Sequence, residues 1–367
     1  MSNISRLTSL AAAGAAGGRT YEIAATSVVQ ATAPRTVNQL LSFEDGAIEY
    51  VDNFSPEIYN GRINFSPDGT FLAYSSSQGL WVYDTSTEFS ATQAAFYNAQ
   101  VRPPQGQAFS SNNLRLSYAT QTAFSSIGQF RLMNFNGSNS LSRFADAELG
   151  QVQQGWCTAI NPAGTRVAFG YAGNGFGAVG VTSWSSSMAF GTAYSPPQSV
   201  AVTDVKFKPS DDTKIGIMSS STVTYQENFT ILSRSGNNLA RVGGYNYSGA
   251  NTYSNSAFGS QFCWTPDGNH VVFIVNGTTL AILDVSNTAS ISLVGTFTNP
   301  VIQTTIRCID ISSDGKYVLL GLSDSTGQNT RAGIAVFDYN SNNTLSLNAT
   351  YTELTQFYDA KFKPFTP

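Results

Sequence analysis

The sequence predicts an all-β fold, a seven-bladed β-propeller, and three observations carry that expectation. An apolar anchor followed by a Pro/Ser/Asp/Gly turn recurs along the chain; β-rich apolar runs follow these turns; and the last repeat is cut short where the N-terminal region holds strands able to complete it. A six-bladed ring with the N-terminal segment as an appendage is the alternative.

The anchors and their turns are Phe65-Ser-Pro-Asp-Gly69, Phe109-Ser-Ser-Asn-Asn113, Ile160-Asn-Pro-Ala-Gly164, Phe207-Lys-Pro-Ser-Asp211, Trp264-Thr-Pro-Asp-Gly268 and Ile311-Ser-Ser-Asp-Gly315, with a truncated copy at Phe362-Lys-Pro-Phe365. Successive anchors are 44, 51, 47, 57, 47 and 51 residues apart, room for four short strands and their turns. Pro-Asp-Gly combines a fixed φ, a side chain that bonds the turn backbone and a residue tolerant of positive φ. The runs after the turns, such as Phe71-Leu-Ala-Tyr74 and Val271-Val-Phe-Ile-Val275, are nearly all apolar, as expected of strands buried on both faces. A third strand follows and ends in Asp, as in Leu80-Trp-Val-Tyr-Asp84, Leu280-Ala-Ile-Leu-Asp284 and Ile334-Ala-Val-Phe-Asp338.

The strand before each anchor alternates. Ile63 and Phe65, Val205 and Phe207, Phe262 and Trp264, Ile309 and Ile311 face one way; the other face carries Arg62, Cys157, Asp204, Lys206, Cys263, Cys308, Asp310, Asp359 and Lys361. The first strand of a propeller blade borders the central channel, so this second face is the expected channel lining. The strand Tyr358-Asp-Ala-Lys-Phe-Lys363 has no room after it for three more, and residues 21–54 are expected to supply them and so close the ring. Two segments result: an Ala/Gly-rich tail over 1–18 and a propeller over 19–367.

Units such as the run from Trp264-Thr-Pro-Asp-Gly268 through His270-Val-Val-Phe-Ile-Val275 to Leu280-Ala-Ile-Leu-Asp284 resemble the WD40-like propeller repeats of the TolB type, from about residue 21 to the end. The resemblance implies the fold and is nearly silent on function, because such repeats serve binding platforms, peptidase gates and lactonases alike.

Charged residues make up only 11% of the 367-residue chain, under half the roughly 25% of an ordinary soluble domain. The net charge of −4 offers no basic footprint, so nucleic acid is not an expected partner. No run of eighteen apolar residues predicts a membrane-spanning helix, and no membrane insertion is expected. Cys157, Cys263 and Cys308 form no C-x-x-C pair and read as free thiols of inner strands. His270 is the only histidine and sits in a turn; no G-x-S-x-G elbow accompanies it. Gly170-Tyr-Ala-Gly-Asn-Gly-Phe-Gly177 lacks the Lys-Ser/Thr of a phosphate loop, and Asp211-Asp212 is not followed by a calcium-loop pattern. No catalytic residue, metal site or cofactor is therefore expected, although Asp204, Lys206, Asp310, Asp359 and Lys361 could ring a channel mouth and bind a metal or a small anion, as lactonase-type propellers bind calcium. The sequons at Asn228 and Asn348 read as a by-product of Asn/Ser/Thr richness, and Tyr245, Tyr247 and Tyr253 as packing for a long loop.

The tail carries Ile4, Leu7, Leu10, Ala13 and Ala16, an apolar series suited to docking into a neighbouring subunit. It also looks like a weak secretory leader, and its opening is similar to the leaders of marine bacteriophage virion proteins. With the nearly uncharged surface, this leads to the expectation of a non-enzymatic virion component, a capsid decoration or tail-associated protein. Its tail would bind other virion proteins and its exposed face a host glycan or protein. A secreted or periplasmic bacterial binding propeller is the alternative, with a lactonase-type hydrolase behind it.

Overall fold

The structure is a computed structural model that describes residues 19–31, 33–54, 61–76, 78–98, 101–122, 128–148, 154–173, 176–197, 199–209, 211–221, 228–247, 259–301, 304–324, 333–352 and 356–365. The tail residues Ile4, Leu7, Leu10, Ala13 and Ala16, and Tyr253, lie outside the described residues.

Secondary structure among the described residues is strand throughout, arranged as successive antiparallel sheets. Strands β1 (Tyr21–Ala31), β2 (Ala33–Glu44) and β3 (Ala47–Phe54) begin the first sheet. The second is β4 (Arg62–Phe65), β5 (Phe71–Ser76), β6 (Gly79–Asp84) and β7 (Thr92–Asn98). The third is β8 (Val101–Phe109), β9 (Arg115–Thr122), β10 (Gly128–Phe135) and β11 (Leu141–Glu148). Strands β12 (Gln154–Ile160), β13 (Arg166–Gly173) and β14 (Phe176–Ser183) form a fourth group. A single pair, Ala172↔Ala201, links it to the fifth: β15 (Ser199–Lys208), β16 (Asp211–Ser221), β17 (Phe229–Ser235) and β18 (Asn238–Tyr245). Then come β19 (Phe262–Trp264), β20 (His270–Asn276), β21 (Thr279–Asp284) and β22 (Ser292–Thr298), followed by β23 (Thr304–Ile311), β24 (Tyr317–Asp324), β25 (Gly333–Tyr339) and β26 (Leu345–Tyr351). The last strand, β27 (Gln356–Phe362), returns to pair antiparallel with β1, from Ile23↔Phe362 to Val28↔Gln356. The first sheet thus has the order β27-β1-β2-β3.

Apolar clusters fill the spaces between consecutive sheets, one cluster to each interface. Leu40 and Phe54 of the first sheet meet Leu72, Tyr74 and Trp81 of the second, and Tyr21 and Phe43 meet Leu319, Val336 and Tyr351 of the last. Five more clusters serve the interfaces between. This is why the middle strands read as unbroken apolar runs: both faces of β5, Phe71–Ser76, are buried.

The fourth group departs from the four-strand pattern. Beyond β14 the chain makes only two isolated bridges, Val179↔Tyr194 and Thr182↔Phe190, where other sheets have an outer strand. Elsewhere, six outer strands carry a β-bulge at one shared position, with Val51, Ala94, Phe144, Val242, Val294 and Asn348 as the extra residues. A bulge twists an exposed edge away from flat geometry and blunts its tendency to pair with another chain.

The turns form as their chemistry predicts. After Trp264, Thr265 Oγ1 donates to Asp267 Oδ1 at 2.6 Å, the Asn269 N–H donates to the same oxygen at 3.0 Å, and Gly268 takes φ +70°. Asn113 fills the same place at φ +61° in the turn after Phe109, which has no glycine. At Gly69, φ is +74° and an added Cβ would lie 2.4 Å from the Pro364 carbonyl oxygen, so the turn also needs glycine for the approach of the C-terminus. Burial would push the carboxyls of Asp68, Asp267 and Asp314 up, but the hydrogen bonds they accept outweigh it and hold them below the ordinary value.

A buried clasp reinforces the β1–β27 pairing. Lys363 Nζ lies 2.9 Å from Glu22 Oε2 and donates to the Thr85 carbonyl at 2.6 Å, while the Phe89 N–H donates to Glu22 Oε2 at 3.0 Å. One ammonium thus joins the two chain ends to the second sheet. Burial pushes the Glu22 carboxyl up, and Lys363 opposes it.

Two predictions follow from these contacts. Lys363→Met strands Glu22 as a buried charge and is expected to cost about 3 kcal/mol in urea unfolding, with much of the loss restored by adding Glu22→Gln; equal stability of all three proteins would show that the clasp contributes nothing. The folded-state values of Asp68, Asp267 and Asp314 are depressed, so their stabilisation is present above the unfolded-state value of about 3.9 and is lost as pH falls through the folded-state values. Melting temperature should therefore fall from about pH 4 downward, and fall less in Asp267→Asn.

Candidate functional site

The inner strands β4, β8, β12, β15, β19, β23 and β27 surround a cavity of 550 Å³. It opens beside Pro67, Ser111, Pro162 and Pro209, the residues of the turns that follow the anchors. Eight of the nine residues expected on the channel face line it: Arg62, Cys157, Asp204, Lys206, Cys263, Asp310, Asp359 and Lys361. Cys308 does not; it is fully buried in the cluster between the first and last sheets.

Register explains the lining. The residue immediately before each anchor lines the cavity, and in five of the seven inner strands so does the residue three before it: Arg62, Gly106, Cys157, Asp204 and Asp359. In four inner strands a bulge falls four residues before the anchor, with Trp156, Thr203, Arg307 and Tyr358 as the extra residues. A bulge re-aims the side chain that follows it, here Cys157, Asp204, Cys308 and Asp359. The sequence pattern contains no sign of these insertions, since one extra residue leaves the anchor motif intact.

The carboxylates also bind neighbouring sheets together. Asp204 Oδ2 accepts the Gln261 N–H at 2.8 Å, Asp310 Oδ2 the Phe362 N–H at 2.9 Å, and Asp359 Oδ2 the Ile63 N–H at 3.3 Å, each across to the next sheet. Lys206 Nζ lies 3.6 Å from Asp204 Oδ2 and donates to the Phe262 carbonyl. Lys361 Nζ lies 3.5 Å from Asp310 Oδ1 and donates to Ser260 Oγ. Burial pushes the Asp359 carboxyl up, opposed by Lys361 and Arg62. Burial alone would lower the Lys361 ammonium, but Asp310, Asp359 and Asp204 together hold it above its ordinary value, so it stays charged.

The stretch of wall from β8 and β12 carries no charge. Gly106, Ala108, Cys157 and Ala159 from β8 and β12 line it, and a Cβ on Gly106 would lie 3.0 Å from the Cys157 Cα. Among the described residues no three His, Cys, Asp or Glu side chains gather as a metal-binding group. His270 lies half-buried at the start of β20, opposite Asp284, away from the cavity lining. Asp212 is engaged by Arg234 at 3.6 Å and by Asn161 Nδ2 at 2.8 Å. Gly170 and Gly173 belong to β13 and Gly177 to β14. Tyr245 and Tyr247 pack on the cluster between the fifth and sixth sheets.

Compared by sequence, the chain matches no family model and no curated protein. Compared by fold, it is similar to the periplasmic gluconolactonase PpgL of Pseudomonas aeruginosa, with TM-score 0.71 and 13% identity over 94% of this chain and 99% of that one. A protein of Bacteroides fragilis named as a candidate 6-phosphogluconolactonase gives TM-score 0.71 and 13% identity over 94% and 98%. The Swd1 β-propeller domain of Myceliophteria thermophila gives TM-score 0.60 and 13% identity over 81% and 88%. The chain has a β-propeller fold. At such identity the likeness establishes the fold alone.

These neighbours correct the expectation of a bacteriophage virion component. Two of the three solved propellers named above are lactonases by name, one of them periplasmic, and none is a virion protein. The virion localisation falls with it, as does the weight given to the leader resemblance, which rested on a short low-complexity stretch. The expectation of a non-enzyme loses its ground too, since it rested on missing nucleophile motifs while this cavity gathers carboxylates and amines without any such motif.

The three thiols are buried and unpaired with one another. Burial pushes Cys263 up to about 12 and raises Cys157 and Cys308 well above the ordinary thiol value. Iodoacetamide at about pH 8 should therefore label none of them in the folded protein and all three in urea; rapid labelling of native Cys263 would show that the cavity wall opens.

Proposed function

We propose that the chain is a lactonase-type propeller, working in the periplasm or outside the cell, that takes an aldonolactone-sized ring into the central cavity. The observation that carries this reading is a 550 Å³ cavity, within the usual range for small-ligand sites, where two ammonium groups and a carboxylate of three different sheets converge opposite a small, uncharged wall. The propeller neighbours named as lactonases, one of them periplasmic, support it. The nearly uncharged surface is consistent with work outside the cytoplasm.

The ring has seven blades in this reading and is fastened where β27 completes the blade of β1, β2 and β3. Support comes from the β1–β27 register and from one apolar cluster at each interface around the ring.

Lactone opening adds water to an ester carbonyl and breaks the bond from that carbon to the ring oxygen. Asp310 Oδ1, at the cavity wall, takes the proton from the attacking water and returns it to the departing ring oxygen. Lys361 and Lys206 face the carbonyl oxygen and offset the negative charge that develops on it. The product is the open hydroxy acid, and no covalent enzyme intermediate is needed.

Purified protein is expected to accelerate release of acid from glucono-δ-lactone above the buffer rate in a pH-stat, and Asp310→Asn should lower that acceleration by about 10²-fold or more. A rate equal to the buffer blank across a panel of five- and six-membered sugar lactones would overturn the enzymatic reading.

A further inference from the structure

We propose that the cavity selects an uncharged, unphosphorylated ring and rejects phosphate esters, with Asp310 as the residue that enforces the choice. The inference rests on the reading of the cavity as a lactone site and goes beyond it by naming the charge state of the ligand.

The formal charges of the lining sum to zero: Arg62, Lys206 and Lys361 against Asp204, Asp310 and Asp359. The balance is also local. Lys206 lies 3.6 Å from Asp204, and Lys361 lies 3.5 Å from Asp310. Each ammonium already faces its own carboxylate and donates to a second acceptor, the Phe262 carbonyl for Lys206 and Ser260 Oγ for Lys361, so a phosphate can reach its remaining N–H only beside a carboxylate.

The carboxylates cannot turn away from an incoming anion. Backbone N–H groups hold them: those of Gln261 and Val205 on Asp204, of Phe362 on Asp310, and of Ile63 and Ala360 on Asp359. Rotating any of the three would open an interface between sheets and leave a buried N–H unpaired. The opposite wall of Gly106, Ala108, Cys157 and Ala159 brings no positive charge to compensate. A phosphate therefore meets fixed carboxylates wherever it meets an ammonium.

A neutral polyhydroxylated ring has no such conflict. Each hydroxyl both donates and accepts, so it can bridge an ammonium and its carboxylate without separating them. The small wall leaves room for the carbon skeleton.

The test is calorimetric titration of the full-length protein with two rings that no hydrolysis can open, 1,5-anhydroglucitol and its 6-phosphate. The neutral ring is expected to bind at least about tenfold more tightly, a difference of about 1.4 kcal/mol. In Asp310→Asn the preference should shrink to a few-fold or reverse, because the cavity then carries net positive charge. The wild-type comparison stands alone if that variant does not fold. Equal or tighter binding of the phosphate ester by the wild type would overturn the inference and leave the lactone reading in place. Failure of both rings to bind a protein with an intact unfolding transition would overturn the lactone reading itself, and this inference with it.

Discussion

At three of the interfaces near the axis, neighbouring sheets depend on one repeated interaction, a carboxylate on one inner strand accepting a backbone N–H of the next sheet. Inner strands of a propeller approach one another closely without pairing as a continuous sheet, so the N–H groups that face a neighbour need partners other than strand ladders. Asp204, Asp310 and Asp359 supply them, and a charge-assisted bond of this kind is stronger than a neutral one. The cost is three negative charges beside a buried channel, and Lys206, Lys361 and Arg62 offset it. Charged groups that hold the ring together are thus the same groups that give the cavity its chemistry.

The pattern is clearest in two sheets that share a local sequence. Asp204-Val-Lys206-Phe-Lys208-Pro209 and Asp359-Ala-Lys361-Phe-Lys363-Pro364 place their residues alike. In each, the Asp holds the next sheet, the first Lys enters the cavity, and the second Lys reaches the carbonyl just after the Asp that ends a third strand in the following sheet. Lys208 reaches Val285 at 3.5 Å and Lys363 reaches Thr85 at 2.6 Å. In the second copy the contact has been extended by Glu22 into the clasp of the chain ends. The strand that finishes the first sheet therefore needs no device foreign to the repeat.

Much of this was legible in the sequence because its causes are local. Turn chemistry at Pro-Asp-Gly and alternation along the inner strands depend on residues a few positions apart, and both gave the fold class and eight of the cavity residues. The inner bulges at Trp156, Thr203, Arg307 and Tyr358 were not legible, since an extra residue in a strand alters register without altering hydrophobic pattern. Cys308 was misplaced for another reason: it follows a bulge as Cys157, Asp204 and Asp359 do, but packing against the first sheet takes it into the core. The replacement of an outer strand after β14 by two isolated bridges was equally hidden. Function was misread where composition stood in for a site. A nearly uncharged surface and an Ala/Gly leader are compatible with many locations, whereas alternation had already put Asp204, Lys206, Asp310, Asp359 and Lys361 on one channel face; only their pairing and their bonds to neighbouring sheets needed the folded chain.

The cavity's asymmetry argues that its charges serve more than the fold. Between the third, fourth and fifth sheets the inner contacts are neutral: Thr158 Oγ1 donates to Ser117 Oγ at 2.7 Å, and Cys157 Sγ to the Val202 carbonyl at 3.5 Å. There the positions before the anchors are Ala108 and Ala159, and the sheets pack through apolar clusters with no ion pair among the cavity-lining residues of β8 and β12. The same architecture therefore tolerates uncharged inner strands, and a buried ion pair is on physical grounds a weak source of stability compared with well-packed apolar residues. Ionic groups from four inner strands, held by backbone bonds and facing the uncharged strands β8 and β12, are an expensive way to join sheets but an effective way to orient a polar ligand. Rigidity is the link between the two, because donors and acceptors fixed before the ligand arrives need no reorganisation when it binds.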